Sequence, residues 1–184
     1  MGTQSPGCIQ KTKYMLSESL MRLLEKQSFR KISVGDICNG AGVSRSAFYS
    51  HFADKYELLA HCMAELLDRR VKSTAGLSQE AQLISMLECV RENRRMMYNA
   101  FMADLNAETL DILQRTVCGG VEERLKELRK KGAVLPGPIS MVAAFWAGGL
   151  ANVILSWMRD GCTTPVEEVA RCQSEMIRNI TSMK

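Results

Sequence analysis

Proline and histidine are scarce in this chain, with four and two among 184 residues, and aromatic side chains make up only 6%. Pro6, Pro136, Pro138 and Pro165 interrupt little, so they mark an N-terminal tail and two turns between helices. The sequence shows no glycine-rich phosphate loop, metal-ligand spacing or catalytic triad, and His61 has no evident carboxylate or nucleophile partner. The expectation is a protein that is not an enzyme and needs no cofactor or metal. Seven cysteines (Cys8, Cys38, Cys62, Cys89, Cys118, Cys162, Cys172) are odd in number and form no CxxC pair. They read as small buried apolar residues in a reducing compartment, with a redox-sensing thiol as the alternative. No charged-then-apolar signal sequence opens the chain, and the location expected is the cytoplasm.

Charge of one sign is also in short supply: 24 cations against 20 anions give +4. The distribution says more than the total. Met1 to Lys55 holds eight of the cations and four of the anions, so residues 56 to 184 are formally neutral with sixteen of each. A localised positive field at the N-terminus suits an anionic partner, although an ordinary solvated surface has the same composition. A hydrophobic content of 46% and a charged content of 24% fit a globular chain rather than a disordered or fibrous one.

Strand-like alternation is almost missing, whereas helical spacing recurs. Leu16, Leu20, Leu23 and Leu24 share one face of a helix from about Ile9 to Gln27. Breaks at Gly35 to Gly42, Ser73 to Ser78 and Gly132 to Gly137 separate short helices up to about Phe52 from longer ones beyond. Those are expected at about 54–72, 79–92, 94–103, 106–131, 138–159 and 165–182. Asp54 suits the first N-cap, and Glu57 completes a capping-box pattern. Ile139 to Met158 is long enough to cross a bilayer, but Ser140, Gly148, Gly149, Asn152 and Ser156 dilute it. A helix buried in the interior or in a dimer interface is the preferred reading, with no membrane partner.

The informative stretch runs from Ile32 to Phe52. Ser33 can cap a short helix with Val34, Ile37, Cys38 and Ala41 inward, and Gly42 supplies a turn where positive φ is tolerated. Ser44 caps a second helix with Val43, Phe48 and Phe52 towards the core and Arg45, Ser46, Tyr49 and Ser50 opposite. This is a helix-turn-helix whose polar second helix is free to enter a major groove.

Ser33, Ala41-Gly42-Val43-Ser44, Phe48-Tyr49, His51-Phe52 and Asp54-Lys55-Tyr56-Glu57-Leu58 fall in the register of the TetR/AcrR family of transcriptional regulators, which the chain resembles from about Ile9 to Leu59. The resemblance implies an all-α protein: a tail and three-helix DNA-binding domain at 1–53, and a helical effector-binding and dimerisation domain at 54–184. It implies that Arg45 and Ser46 face base edges, Arg being suited to bidentate contact with guanine. Tyr49 would pack on the sugar-phosphate backbone with a thymine methyl within reach. Ser33, Ser44, Ser50, His51 and Lys55 would hold phosphates, setting register without reading sequence. Tyr49 and His51 could equally finish the small domain's packing. Asn39 and Gly40 depart from the family's longer side chains, and Gly40 weakens its helix by about 1 kcal/mol relative to Ala.

Nine of twelve methionines lie beyond Lys55. They suit either an adaptable pocket or plain core filling. Met63, Met86, Cys89, Met97, Phe101 and Trp146 are the pocket candidates for an unidentified small-molecule effector. Ala144, Gly148, Ala151 and Leu155 form a narrow stripe, and Val166, Val169, Ala170, Met176, Ile177 and Ile180 an amphipathic face, so the helices at about 138–159 and 165–182 are expected to build a four-helix homodimer interface. Glu92-Asn93-Arg94 and the Phe145-x-x-Gly148-Gly149…Trp157-x-x-x-Gly161 pattern resemble a C-terminal group that includes dihydroxyacetone-kinase-type regulators, without transferring a ligand. The function implied is a repressor that reads a palindromic operator on double-stranded DNA and leaves it when an effector binds. The alternative is a regulator whose C-terminal domain responds to a protein partner or to thiol oxidation.

Overall fold

The computed structural model describes residues 6–182 apart from Leu105, with side chains described for residues 9–176 apart from Gln79 and Leu105. Among these residues there is no strand. The helices are α1 (Pro6–Leu24), α2 (Val34–Ala41), α3 (Arg45–Tyr49), α4 (Lys55–Ser73), α5 (Gln79–Glu92), α6 (Arg94–Phe101), α7 (Ala107–Lys130), α8 (Ile139–Arg159) and α9 (Val166–Ser182), with a single 3₁₀ turn at Phe29–Lys31. The all-α expectation holds, and α4 to α9 fall within two residues of their expected bounds. Caps explain this agreement. Asp54 Oδ1 accepts from Glu57 N at 2.8 Å, and Ser78 Oγ accepts from Ala81 N at 3.2 Å. Glu57 returns its own carboxylate to Ala53 N at 2.6 Å, one residue earlier than a regular capping box.

Three expectations change. Pro6 does not mark a tail but opens α1, where its missing N–H is one that a first helical turn never uses. That helix stops at Leu24 rather than Gln27, and past its end Lys26 N turns to Leu23 O at 2.9 Å in a tighter three-residue bond. The break foreseen from Gly35 to Gly42 narrows to Gly42, at φ 68°, and the short helix expected behind the Ser33 cap fills the rest as α2.

Packing divides the chain into two compact units: Met1–Leu66 with Arg95–Ile112, and Leu67–Arg94 with Leu113–Lys184. In the first, the stripe of α1 is wholly buried at Leu16, Leu20 and Leu24, and it packs on Ile37, Cys38 and Ala41 of α2. Phe48 and Phe52 close this core, while Asn99 Nδ2 of α6 donates to Leu24 O at 2.7 Å and secures the end of α1. In the second unit, Leu125 of α7 packs with Val142, Ala143 and Trp146 of α8. Elsewhere in this unit α9 lies on α5, burying Val166, Val169 and Ala170. The α8–α9 turn places Gly161 and Cys162 at φ 72° and 56°, and Trp157 Nε1 fastens it by donating to Thr164 O at 2.9 Å.

Candidate nucleic-acid interface

Side-chain caps set the geometry of the helix-turn-helix. Ser33 Oγ accepts from Asp36 N at 3.1 Å, and Asp36 Oδ2 accepts from both Ser33 N at 2.9 Å and Ser33 Oγ at 2.6 Å, a reciprocal box that starts α2. These bonds from Ser33, with a smaller contribution from the Arg45 charge, hold the Asp36 carboxyl below the ordinary aspartate value. Ser44 Oγ accepts from Ala47 N at 3.1 Å and starts α3. Phe48 is fully buried, so the opposite side of α3 faces outward.

That outward side carries Arg45, Ser46 and Tyr49, all exposed, with Tyr49 58% exposed and its ring edge-on to Phe48 at 5.3 Å. The expected phosphate-holding residues divide by what their hydrogens already do. Ser33 gives its hydroxyl hydrogen to Asp36, and Ser50 gives its own to Ala47 O at 2.8 Å. Ser44 uses its oxygen as an acceptor for the cap, which leaves the hydroxyl hydrogen to point outward. His51 is half-buried, and its Nε2 is buried with no partner among the described residues.

Lys55 is the least expected of them. Its ammonium donates to Ile32 O at 2.8 Å, Phe29 O at 2.9 Å and Arg30 O at 3.2 Å, and lies 4.6 Å from the Phe29 ring centre. Three hydrogens meet three carbonyls. A cation at the start of α4 opposes the helix dipole, but here it caps the carbonyl end of the 3₁₀ turn that leads into α2. Burial draws its pKa below that of an ordinary lysine.

Two supporting contacts escaped the sequence reading. Arg22 Nη2 donates to Gly40 O at 3.0 Å, and Ser19 Oγ donates to Ile37 O at 2.8 Å inside the α1–α2 contact. A Cβ at Gly40 would collide with that Ser19 hydroxyl, so the glycine that weakens α2 also lets α1 approach it. Each contact joins residues 18 apart, beyond any helical repeat, and no local signal announces it.

Family comparison agrees with this geometry. Residues 18–62 match the family of bacterial regulatory proteins named tetR, and residues 78–179, more than half of the chain, match the family described as transcriptional regulator C-terminal region. The chain belongs to the TetR family of transcriptional regulators. Among curated TetR-family relatives it is 32% identical over 80 residues to the HTH-type transcriptional regulator EthR of Mycolicibacterium smegmatis (strain ATCC 700084 / mc(2)155), covering 44% of this chain and 36% of EthR. It is 25% identical over 107 residues to the HTH-type dhaKLM operon transcriptional activator DhaS of Lactococcus lactis subsp. lactis (strain IL1403), covering 56% of each. The matched segment thus spans between a third and three fifths of these relatives' lengths. A TetR regulator structure from Streptococcus agalactiae 2603V superposes with a TM-score of 0.67 over 92% of this chain and 94% of that one, at 23% identity, which shows a shared fold.

The TetR-family effector candidates are distributed over both units. Met63, Met97 and Phe101 are buried in the first; Cys89 and Trp146 are buried and Met86 is half-buried in the second. Trp146 belongs to the α7–α8 core, and Cys89 Sγ lies 3.7 Å from Asn93 Nδ2. A shallow cavity of about 350 Å³ is bordered by Lys126, Arg129, Lys130 and Ile139, none of them among these candidates. The uniform burial expected of the cysteines does not hold. Cys38, Cys62 and Cys89 are buried, but Cys118 and Cys162 are half-buried and Cys172 is exposed on α9. Burial pushes the Cys62 thiol up to about 11, which keeps it protonated at neutral pH. The Cys8 thiol, Ile177, Ile180 and Met183 lie outside the described side chains.

Proposed function

We propose that this TetR-family regulator is a homodimeric repressor that reads a palindromic operator through Arg45, Ser46 and Tyr49 and leaves it when a small-molecule effector binds. The observation that carries this reading is the exposed polar side of α3, held outward by buried Phe48 and by the Ser44 cap. Ser44 donates to a phosphate. Ser33, Ser50 and Lys55 serve the interface from behind, by fixing the ends of α2 and α3 and the turn before them. The protein acts in the cytoplasm, where its operator lies.

Dimerisation is supported by α8. Met141 and Phe145 are 70% and 71% exposed, with Gly149, Asn152 and Ser156 continuing the same open face. This apolar start and small-residue continuation suit close approach of a second copy. It differs in register from the stripe expected at Ala144, Gly148, Ala151 and Leu155, of which Ala151 is buried within the protomer. The same helix is long and apolar enough to cross a bilayer, with a mean hydropathy of 1.7. Its buried residues pack against the rest of the second unit, and its open face is assigned to the dimer.

A salt-titrated binding assay with DNA from upstream of the gene tests the reading. Preference over random DNA of equal length is expected, and no preference at any salt concentration would sink the proposal. A second reading, activation, draws on the printed description of DhaS as an operon activator. A promoter-reporter strain lacking the regulator separates the two: reporter output rises if the protein represses and falls if it activates.

A further inference from the structure

Gly35 is the second residue of α2, in a first turn where alanine would be the better helix former. Its φ is not positive, so its backbone does not demand glycine. Space does. A Cβ at this position would stand 2.7 Å from Arg45 Nη2 and 3.6 Å from Arg45 Cζ, the Ser33 hydroxyl being the other near neighbour at 3.5 Å. The guanidinium of the first residue of α3 therefore lies across the bare Cα of α2, beside the anionic Asp36.

We propose that Gly35 is a specificity-determining position: its missing side chain forms the berth that aims Arg45, and so decides which base edge the guanidinium reaches. This rests on the reading of Arg45 as a base contact. Arginine has several rotatable bonds and discriminates between bases only when its planar fork is presented in one direction. A methyl group at 35 removes the resting place without changing the charge or the buried Phe48, and it meets the Ser33 hydroxyl of the cap only at an ordinary 3.5 Å contact. Sequence preference at one position should then change while general attraction to phosphate remains.

The test is selection of binding sites from a randomised duplex pool by the full chain, comparing the natural protein with Arg45→Ala, Gly35→Ala, Gly35→Ser and the Gly35→Ala/Arg45→Ala double variant. Arg45→Ala is expected to lose discrimination about tenfold at one symmetry-related base position. Both Gly35 variants are expected to lose or shift discrimination at that same position by a similar factor, with the other positions and the salt slope unchanged. The double variant should match Arg45→Ala alone, since the two changes remove one interaction. If the Gly35 variants keep the natural preference where Arg45→Ala loses it, the role of Gly35 is overturned and Arg45 remains a base reader. If Arg45→Ala keeps every preference, the base-reading assignment fails, and the role of Gly35 fails with it.

Discussion

In the helix-turn-helix, Phe48 is wholly buried and both short helices begin on a serine hydroxyl that accepts a backbone hydrogen bond. In α8, Phe145 is 71% exposed, and the helix begins at Pro138 with no side-chain cap. The first region encloses its apolar residues within one protomer and turns polar groups outward. The second buries one side, at Val142, Ala143 and Trp146, and leaves another apolar side open. Short helices of eight and five residues have little intrinsic stability and depend on caps and a filled core, whereas a 21-residue helix can stand with one face uncovered. A closed core with a polar exterior is suited to a solvated, charged partner such as DNA; an open apolar face is suited to another protein surface.

The largest effect should come from breaking the closed side of this contrast. Phe48→Ala is expected to destabilise the DNA-binding part by about 3–5 kcal/mol and abolish operator binding, while Phe145→Ala changes protomer stability by less than about 0.5 kcal/mol. Urea unfolding of both variants, with sedimentation equilibrium to follow the dimer, checks the pair. A stable dimer of Phe145→Asp would remove α8 from the interface.

Lys55→Ala comes next. Losing the ammonium strips Arg30 O and Ile32 O of this donor and leaves Phe29 O with Ile32 N at 3.2 Å, at a cost of about 1–3 kcal/mol. A lysine that only touched phosphate would show the opposite pattern: unchanged melting and a salt slope smaller by about 1. Unfolding curves beside binding at several salt concentrations distinguish these roles.

Gly40→Ala sharpens the comparison within the α1–α2 contact. Helix propensity alone favours the change by about 1 kcal/mol. Collision with the Ser19 hydroxyl, which is held in a buried bond to Ile37 O, should reverse that sign. Ser19→Ala in the same chain should recover part of the loss, a coupling of at least about 0.5 kcal/mol in a double-mutant cycle.

The smallest effect belongs to the α2 cap. Ser33→Ala is expected to cost about 1 kcal/mol. Because the folded pKa of Asp36 is lowered, its contribution is present above the unfolded aspartate value and fades as pH falls through the folded one. The gap between natural protein and Ser33→Ala should therefore narrow, without closing, as pH falls below about 4, because the bond from Asp36 N to Ser33 Oγ does not titrate.

Much of this was legible along the chain. Leu16, Leu20 and Leu24 announced α1 by their spacing, Asp54 and Ser33 announced helix starts, and Gly42 the turn, because each acts within about four residues of itself. The outward placement of Arg45, Ser46 and Tyr49 followed from the inward placement of Phe48. The acceptors of Lys55 were not legible for a reason of the same kind: its position in the motif says where the stem begins, but its carbonyl acceptors lie 23 to 26 residues earlier. Gly35 was legible as part of the Ser33-capped helix, but nothing nearby in sequence shows that Arg45 fills its space.

By itself, the sequence determined that this protein is helical, where α4 to α9 begin and end to within two residues, and that a helix-turn-helix stands in its first third, since periodicity, caps and glycine turns are local physics. Only the tertiary structure decided how distant groups use one another. It gave Lys55 to three backbone carbonyls, placed Arg45 on Gly35, fitted Ser19 against Gly40 and left Phe145 open on α8. Those outcomes depend on which surfaces meet in space, and a hydrogen bond or a collision forms between atoms a few ångströms apart, whatever the length of chain between them.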